Sequence, residues 1–381
     1  MIKIWKNSEF PLKEKQSLMN NVFIECFGVI EDPRINRTKK HLLIDVIALT
    51  LLGIMAGAQT FDEIELFGTL HEEWLRRYLN LPNGIPSHDA INRVLSLLDP
   101  EVLQKSFIDW IKKARGYMDD NVIAIDGKTM RASHQNSKGI KAFHILSAYS
   151  CANGLSLGQM KVDGKTNEIT VIPELLEQLA IKGCIITIDA MGCQRDIAEK
   201  IVQKKADYIL AVKGNQKELY EPIVDTFKLT PNPYSFDHEI NGDHGRIESR
   251  RVEAFPVSLI STQLDLNKWS GIQSIIKVTY THNDSTEKRY FISTLQATEV
   301  EKIGKSIRSH WQIENNLHWV LDVVFREDES RIRNERAALN IAWFRKMALS
   351  FLAKDGTNLS NRRKMYRNAV QPQHMIDTLR G

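Results

Sequence analysis

Two apolar, β-branched segments of the 381-residue chain end in aspartate, NVIAID at Asp126 and CIITID at Asp189. A carboxylate at a strand end projects from the carboxyl edge of a sheet, where open α/β sheets place their sites. One such aspartate alone more often caps the next helix. Two on neighbouring strands, about 4 Å apart, repel by on the order of 4 kcal/mol at an effective dielectric near 20, and a proton or a cation between them relieves this. Oxygen-only ligands select Mg²⁺ or Mn²⁺ over zinc, and two such ions can stabilise the attacking and leaving oxygens of a phosphodiester displacement. That arrangement needs a third acid. Glu314, in IRSHWQIENNLHW, shares a helical face with His310 and His318. Asp322 and the acids Glu327, Asp328 and Glu329 compete for the same position, although the three in the turn read as solvated, and Trp311, Leu317 and Trp319 read as partly core. The spacing His310, Glu314, His318 is not the H-E-x-x-H of a zinc hydrolase.

Other motifs are excluded by a missing residue. Gly127-Lys128-Thr129 and Gly164-Lys165-Thr166 resemble the end of a phosphate loop, but Val122 and Gln159 stand where its first glycine belongs. No G-x-G-x-x-G or G-x-S-x-G occurs, so no nucleotide cofactor and no serine hydrolysis is expected. Cys26, Cys151, Cys184 and Cys193 form no CxxC, and MIKIWKNSEFPLKEKQ lacks the pattern of a secretory signal. The apolar run Leu42 to Ala58 contains Asp45 and two glycines, too short and polar for a bilayer span. We expect a reducing, cytoplasmic protein with no membrane partner. The net charge of +4 implies no anionic partner by itself. Its distribution is uneven: Arg331 to Gly381 holds eleven Lys or Arg against Glu335, Asp355 and Asp377, and Arg34, Arg37, Lys39 and Lys40 cluster near the start. Basic stripes fit a phosphate-backbone binder, and equally a solvated helix face.

The elements that must position these residues fall into blocks. Residues 1–115 read as an all-helical N-terminal domain for DNA binding or assembly, with helices over 42–55, 61–79 and 87–98, the last capped by Ser87. Residues 116–220 change period to β-β-β-α-β-α-β, with strands at 121–126, 143–150, 155–162, 184–189 and 207–212. That order is α/β, a mixed sheet with an antiparallel edge and a parallel centre, as in a ribonuclease H-like core. Residues 221–297 read as a β-rich insertion before the last catalytic helix. Residues 298–355 return to core helices, with Ile332, Ala338, Leu339, Ile341, Ala342, Met347 and Leu349 expected against the sheet. The remainder, 356–381, reads as a loosely ordered basic tail.

Four segments, AIDGKTMRASH, TIDAMGCQ with ADYILAVKGNQ, DHGRIESRR, and RSHWQIENNLHWVLDVVFREDESRIRNERAALN, resemble in order and spacing the insertion-sequence DDE transposases of the H-repeat-associated branch. The resemblance implies a ribonuclease H-like catalytic domain, metal-dependent DNA cleavage and strand transfer at terminal inverted repeats, and Asp126, Asp189 and Glu314 as a metal-binding triad for two Mg²⁺ or Mn²⁺ ions. It also implies double-stranded DNA as partner and a homodimer in the active complex. Related transposases often carry Tyr and Arg before the catalytic Glu and Lys after it, where this chain has Ile307, His310 and Leu321. Arg308 and His310 are the expected replacements at phosphate, with Lys128, Arg131, Arg246, Arg250, Arg333 and Arg336 as further DNA contacts. A nuclease with the same core and a decayed copy that only binds DNA and represses are the alternatives.

Overall fold

The computed structural model describes residues 21–115, 122–130, 142–162, 168–242, 246–262, 265–282 and 285–380. Two compact units share the chain. A helical unit takes both ends, up to Gly116 and from Ser330, with Val324–Arg326; a sheet unit takes Tyr117–Val323 with Glu327–Glu329.

The helical unit starts with α1 (Asn21–Phe27), α2 (Leu43–Met55), α3 (Phe61–Leu70), α4 (Glu72–Leu75), α5 (His88–Leu97) and α6 (Pro100–Arg115). Ser87 Oγ accepts the Ala90 N–H and so satisfies an orphan donor of the first turn of α5, as expected. The helix expected over 61–79 is instead two, α3 and α4, which meet at His71.

The sheet unit contains β1 (Val122–Met130), β2 (Phe143–Ser150), β3 (Leu155–Val162), α7 (Glu168–Gln178), β4 (Ile185–Ile188), α8 (Arg195–Gln203), β5 (Asp207–Val212), α9 (Lys217–Leu229), β6 (Tyr234–Gly242), β7 (Arg246–Pro256), β8 (Ser274–His282), β9 (Ser285–Ser293), α10 (Val300–Gln312) and α11 (Trp319–Val323). Its nine strands lie in the order β3-β2-β1-β4-β5-β9-β8-β7-β6. β1 to β3 form an antiparallel meander, and β1, β4 and β5 are parallel. The supposed insertion begins with a helix, and its strands are not a separate body. β9 pairs with β5 through Ile209↔Ser293 to Val212↔Tyr290 and carries β8, β7 and β6 outward on the same sheet. A long-range pairing of that kind leaves no trace in local periodicity.

Both sheet faces are covered. Ile172 and Leu175 of α7, Ile197 and Ile201 of α8, and Leu219 and Ile223 of α9 pack with Ile123, Ile125 and Ile188 on one face. Ile303 and Ile307 of α10 pack with Ile185, Ile209, Val252 and Ile276 on the other. Each fully buried side chain of this size contributes roughly 1.5–3 kcal/mol.

After the acidic turn the chain returns to the helical unit as α12 (Glu335–Lys354), α13 (Asn361–Val370) and α14 (Gln373–Arg380). This corrects two expectations. The apolar positions of α12 pack against α2, α5 and α6 within the helical unit, and the expected basic tail forms two helices. Asn334 caps α12 by accepting the Ala337 N–H, so Arg331 and Arg333 precede the helix. All four cysteines are buried, and no helix among the described residues is long and apolar enough to cross a membrane.

Candidate active site

β1 and β4 run parallel, with Ile125 paired to Ile188, so Asp126 and Asp189 follow at the same edge. Alternation turns Asp126 away from the face that Ile125 shares with α7, toward the face covered by α10. There the helix changes its winding. Ile313–His318 is a π-helical turn between α10 and α11, a rare form frequent at functional sites. Glu314 stands at its start and His318 at its end. His318 Nδ1 donates to Glu314 Oε2 at 3.1 Å and lies 3.4 Å from Asp126 Oδ2. Ligand atoms of Asp126, Glu314 and His318 all fall within 4.8 Å of one another.

Asp189 Oδ1 accepts the N–H groups of Met191, at 3.0 Å, and Gly192, at 3.4 Å. The common capping role of a strand-end aspartate is therefore present here and commits one of its two oxygens.

The carboxylates differ in how firmly they hold their charge. Burial works to raise the Asp126 carboxyl, but the hydrogen bond and charge of His318 outweigh it and hold it below its ordinary value. The His318 hydrogen bond likewise keeps Glu314 below its ordinary value. Burial pushes Asp189 up, and the nearby charges of Asp126 and Glu168 add to that shift against the two backbone donors. Like charges gathered at one edge are a situation that a cation relieves.

These groups open into a cavity of about 1330 Å³ whose wall includes Asp126, Asp189 and Glu314 together with Lys213, Arg250, Lys288, Arg289 and Arg308. Two of the arginines rest on aromatic rings, Arg250 on Tyr280 at 5.2 Å and Arg289 on Trp311 at 4.9 Å. Trp311 is 44% exposed and Trp319 57%, so neither is the core residue expected.

Lys128 is tied inside the protein to Asp322 and, at 2.8 Å, to Glu327. Glu327 is thus buried, not solvated, and Asp322 is engaged by a lysine while Glu314 faces Asp126. His310 lies in the cavity wall with Nδ1 3.0 Å from Thr187 Oγ1, and burial holds its imidazole below its ordinary value despite the two aspartates nearby. Arg308 is exposed on the cavity wall. Arg333 and Arg336 are exposed in the helical unit, whereas Arg345 and Lys346 of the same basic stretch are buried there. Arg131 and the side chain of Arg246 lie outside the described residues; the backbone of Arg246 opens β7.

Comparison with known proteins gives this geometry a family. The Transposase DDE domain family matches residues 117–351, and its associated family, DDE_Tnp_1-associated, matches residues 24–111. The chain belongs to the DDE transposases of insertion sequences, in the H repeat-associated branch. It is 39% identical over 372 residues to the H repeat-associated putative transposase YhhI of Escherichia coli (strain K12), covering 94% of this chain and 97% of that one. It is 42% identical over 341 residues to the putative transposase YncI of Escherichia coli O157:H7, covering 86% of each. Among solved structures, the piggyBac transposase synaptic complex with hairpin DNA aligns at a TM-score of 0.44 and 12% identity, over 96% of this chain and 79% of that one.

In this transposase, sequence reasoning passed over Arg289, Lys213 and Lys288 on the cavity wall and the pair His144 and Glu168 beside Asp189. The lysines and arginine stand among ordinary strand-edge charges. His144 and Glu168 are 24 residues apart, a spacing that matches no metal or catalytic pattern.

Proposed function

We propose that this transposase binds the terminal inverted repeats of its element and catalyses divalent-metal-dependent DNA cleavage and strand transfer through a ribonuclease H-like core. The observation that carries the reading is the meeting of acids from three distant segments, Asp126, Asp189 and Glu314, on one cavity whose wall is otherwise rich in Lys and Arg. The donor set fits a hard cation: three carboxylates, two of them kept ionised by His318, with Asp322 withdrawn by Lys128. Asp126, Asp189 and Glu314 would hold Mg²⁺ or Mn²⁺, two ions in the full arrangement, which lower the pKa of the nucleophile and stabilise the leaving oxyanion.

The chain's own residues do the rest. His318 fixes the Asp126 and Glu314 carboxylates against each other, as partners of ligands commonly do. Arg250 and Arg308 hold the phosphate backbone along the cavity; an arginine fork can bond two phosphate oxygens, and stacking on Tyr280 preorganises Arg250, while Arg289, its fork taken by Glu287, packs on Trp311. Hydrolysis breaks a P–O3′ bond and leaves a 3′ hydroxyl and a 5′ phosphate. In strand transfer that hydroxyl attacks a target phosphate, forming one P–O bond as another breaks. No covalent protein intermediate and no nucleotide cofactor is required, and paired ends call for a homodimer in the active complex.

The test is incubation of the full chain with Mg²⁺, a duplex carrying the element's terminal repeat and a supercoiled target. Strand-transfer products support the transposase reading. Cleavage without transfer would mark a nuclease, and tight binding without cleavage a repressor.

A further inference from the structure

Past Ile125, β1 loses one of its neighbours. Its pairing with β4 ends at Ile125↔Ile188, whereas pairing with β2 continues to Met130↔Phe143. Asp126 to Met130 is therefore held by backbone hydrogen bonds along one edge only. A metal-binding carboxylate must be kept within about 0.5 Å of its productive position by its supporting shell. Side chains supply what the missing strand does not.

Alternation puts Lys128 on the Asp126 side of β1, and Gly127 and Thr129 on the other. On the Asp126 side, the Lys128 ammonium binds Asp322 of α11 and Glu327 just beyond it; the Lys128 side chain is 11% exposed and that of Glu327 3%. Burial opposes the charge on Lys128, and the two carboxylates more than restore it, holding its ammonium above its ordinary value. This ties β1 to the end of the same helical run that carries Glu314 and His318.

On the opposite side stands His144 of β2, the direct cross-strand partner of Thr129. Its Nδ1 is 3.0 Å from Thr129 Oγ1 and its Nε2 is 2.5 Å from Glu168 Oε1. Glu168 is the first residue of α7, and its side chain is 14% exposed. Imidazole and carboxylate meet directly over Gly127, where a Cβ would overlap both Glu168 Oε1 and His144 Nε2. Any other residue there would have to displace them.

We propose that Gly127-Lys128-Thr129 is a two-sided clamp on the overhanging end of β1, completed by Asp322 and Glu327 on one face and by His144 and Glu168 on the other, which sets the Asp126 carboxylate for a divalent cation. This rests on the reading of Asp126 as a metal ligand under Proposed function. The three residues look like the end of a phosphate loop but do other work: the glycine makes space, the lysine is neutralised, and the threonine is bonded to imidazole. Lys128, His144 and Glu168 are positioning residues, acting on the cation through the strand.

The experiment uses the full chain and two readouts, Mn²⁺ binding by titration calorimetry and single-turnover cleavage of a saturating terminal-repeat duplex. His144→Gln, Glu168→Gln and Lys128→Met should each weaken Mn²⁺ binding and slow cleavage by about 10- to 100-fold, the usual cost of removing a ligand's support. Affinity for the duplex should stay as in wild type. Gly127→Ala should match these losses alone, yet add little to His144→Ala/Glu168→Ala, where nothing is left to collide; general misfolding would not give that non-additivity. Wild-type Mn²⁺ affinity and rate in both His144→Gln and Glu168→Gln would overturn the clamp. If wild-type protein neither binds Mn²⁺ nor cleaves, the metal reading fails instead. Amide exchange across Gly127 to Met130 then judges the clamp: faster exchange in His144→Gln supports it, and unchanged exchange overturns it.

Discussion

The helical and sheet units use the same residue types in opposite ways. In the helical unit, polar and charged side chains turn inward to satisfy helix ends. Asn340 Nδ2 donates to the carbonyls of Leu95 and Leu98 at the end of α5, and Asn368 Nδ2 to Met55 O at the end of α2. Lys364 Nζ donates to Leu352 O and Asp355 O at the end of α12. In the sheet unit, charges converge on open space, with Arg250, Arg289 and Arg308 around the acids of the cavity. A basic count in sequence therefore marks a phosphate footprint only where the side chains reach the surface. The strongly basic stretch from Arg331 onward places Arg345, Lys346 and Lys364 in the interior and ties Arg367 to Asp355.

If this contrast is right, substitutions in the two units separate activity from stability. The largest effect belongs to the sheet unit: Asp126→Asn should abolish cleavage while leaving the urea midpoint and duplex binding nearly unchanged. An equal fall in stability would mean that Asp126 is structural. In the helical unit, Trp343, fully buried with its indole N–H donating to Gln104 Oε1 at 2.9 Å, should show the reverse. Trp343→Ala should cost about 3–5 kcal/mol in urea unfolding.

Asn340→Ala should cost about 1–3 kcal/mol, because it strips a donor from two buried carbonyls. Arg250→Ala and Arg308→Ala should leave stability alone and each lower the salt slope of DNA binding by about 1. An unchanged slope would remove that arginine from the DNA path.

The smallest effect is on pH. Burial works to raise the Asp355 carboxyl, but hydrogen bonds from Thr357 and Arg367 outweigh it and hold it below its ordinary value. An acid depressed in the folded state contributes stability at neutral pH that is lost as pH falls from its ordinary value through the folded one. Acid titration of the unfolding free energy should show that loss, and Asp355→Asn should flatten it.

Much of the sheet unit was legible because its signals are local. β-branched runs ending in Asp126 and Asp189 mark strands by composition and their edge by the final residue. Glu314 and Asp322 could not be separated in the same manner. Both lie on one helical run, and the choice depends on Lys128, nearly 200 positions earlier, reaching Asp322. The joining of β9 to β5 was hidden for a similar reason, since a strand's pattern does not name its neighbour. The apolar face of α12 announced burial without saying against what. Trp311 illustrates the opposite error: an aromatic on a helix reads as core, yet here it faces a cavity under Arg289.

The most direct measurement compares Mg²⁺-dependent cleavage of a terminal-repeat duplex by wild type, Glu314→Gln and Asp322→Asn at saturating DNA. A third ligand at Glu314 requires that Glu314→Gln be inactive with duplex binding intact, while Asp322→Asn, which loses only part of the Lys128 pairing, keeps measurable cleavage. Wild-type cleavage by Glu314→Gln alongside an inactive Asp322→Asn would contradict the assignment and move the third ligand eight residues along the helical run, past His318 to Asp322.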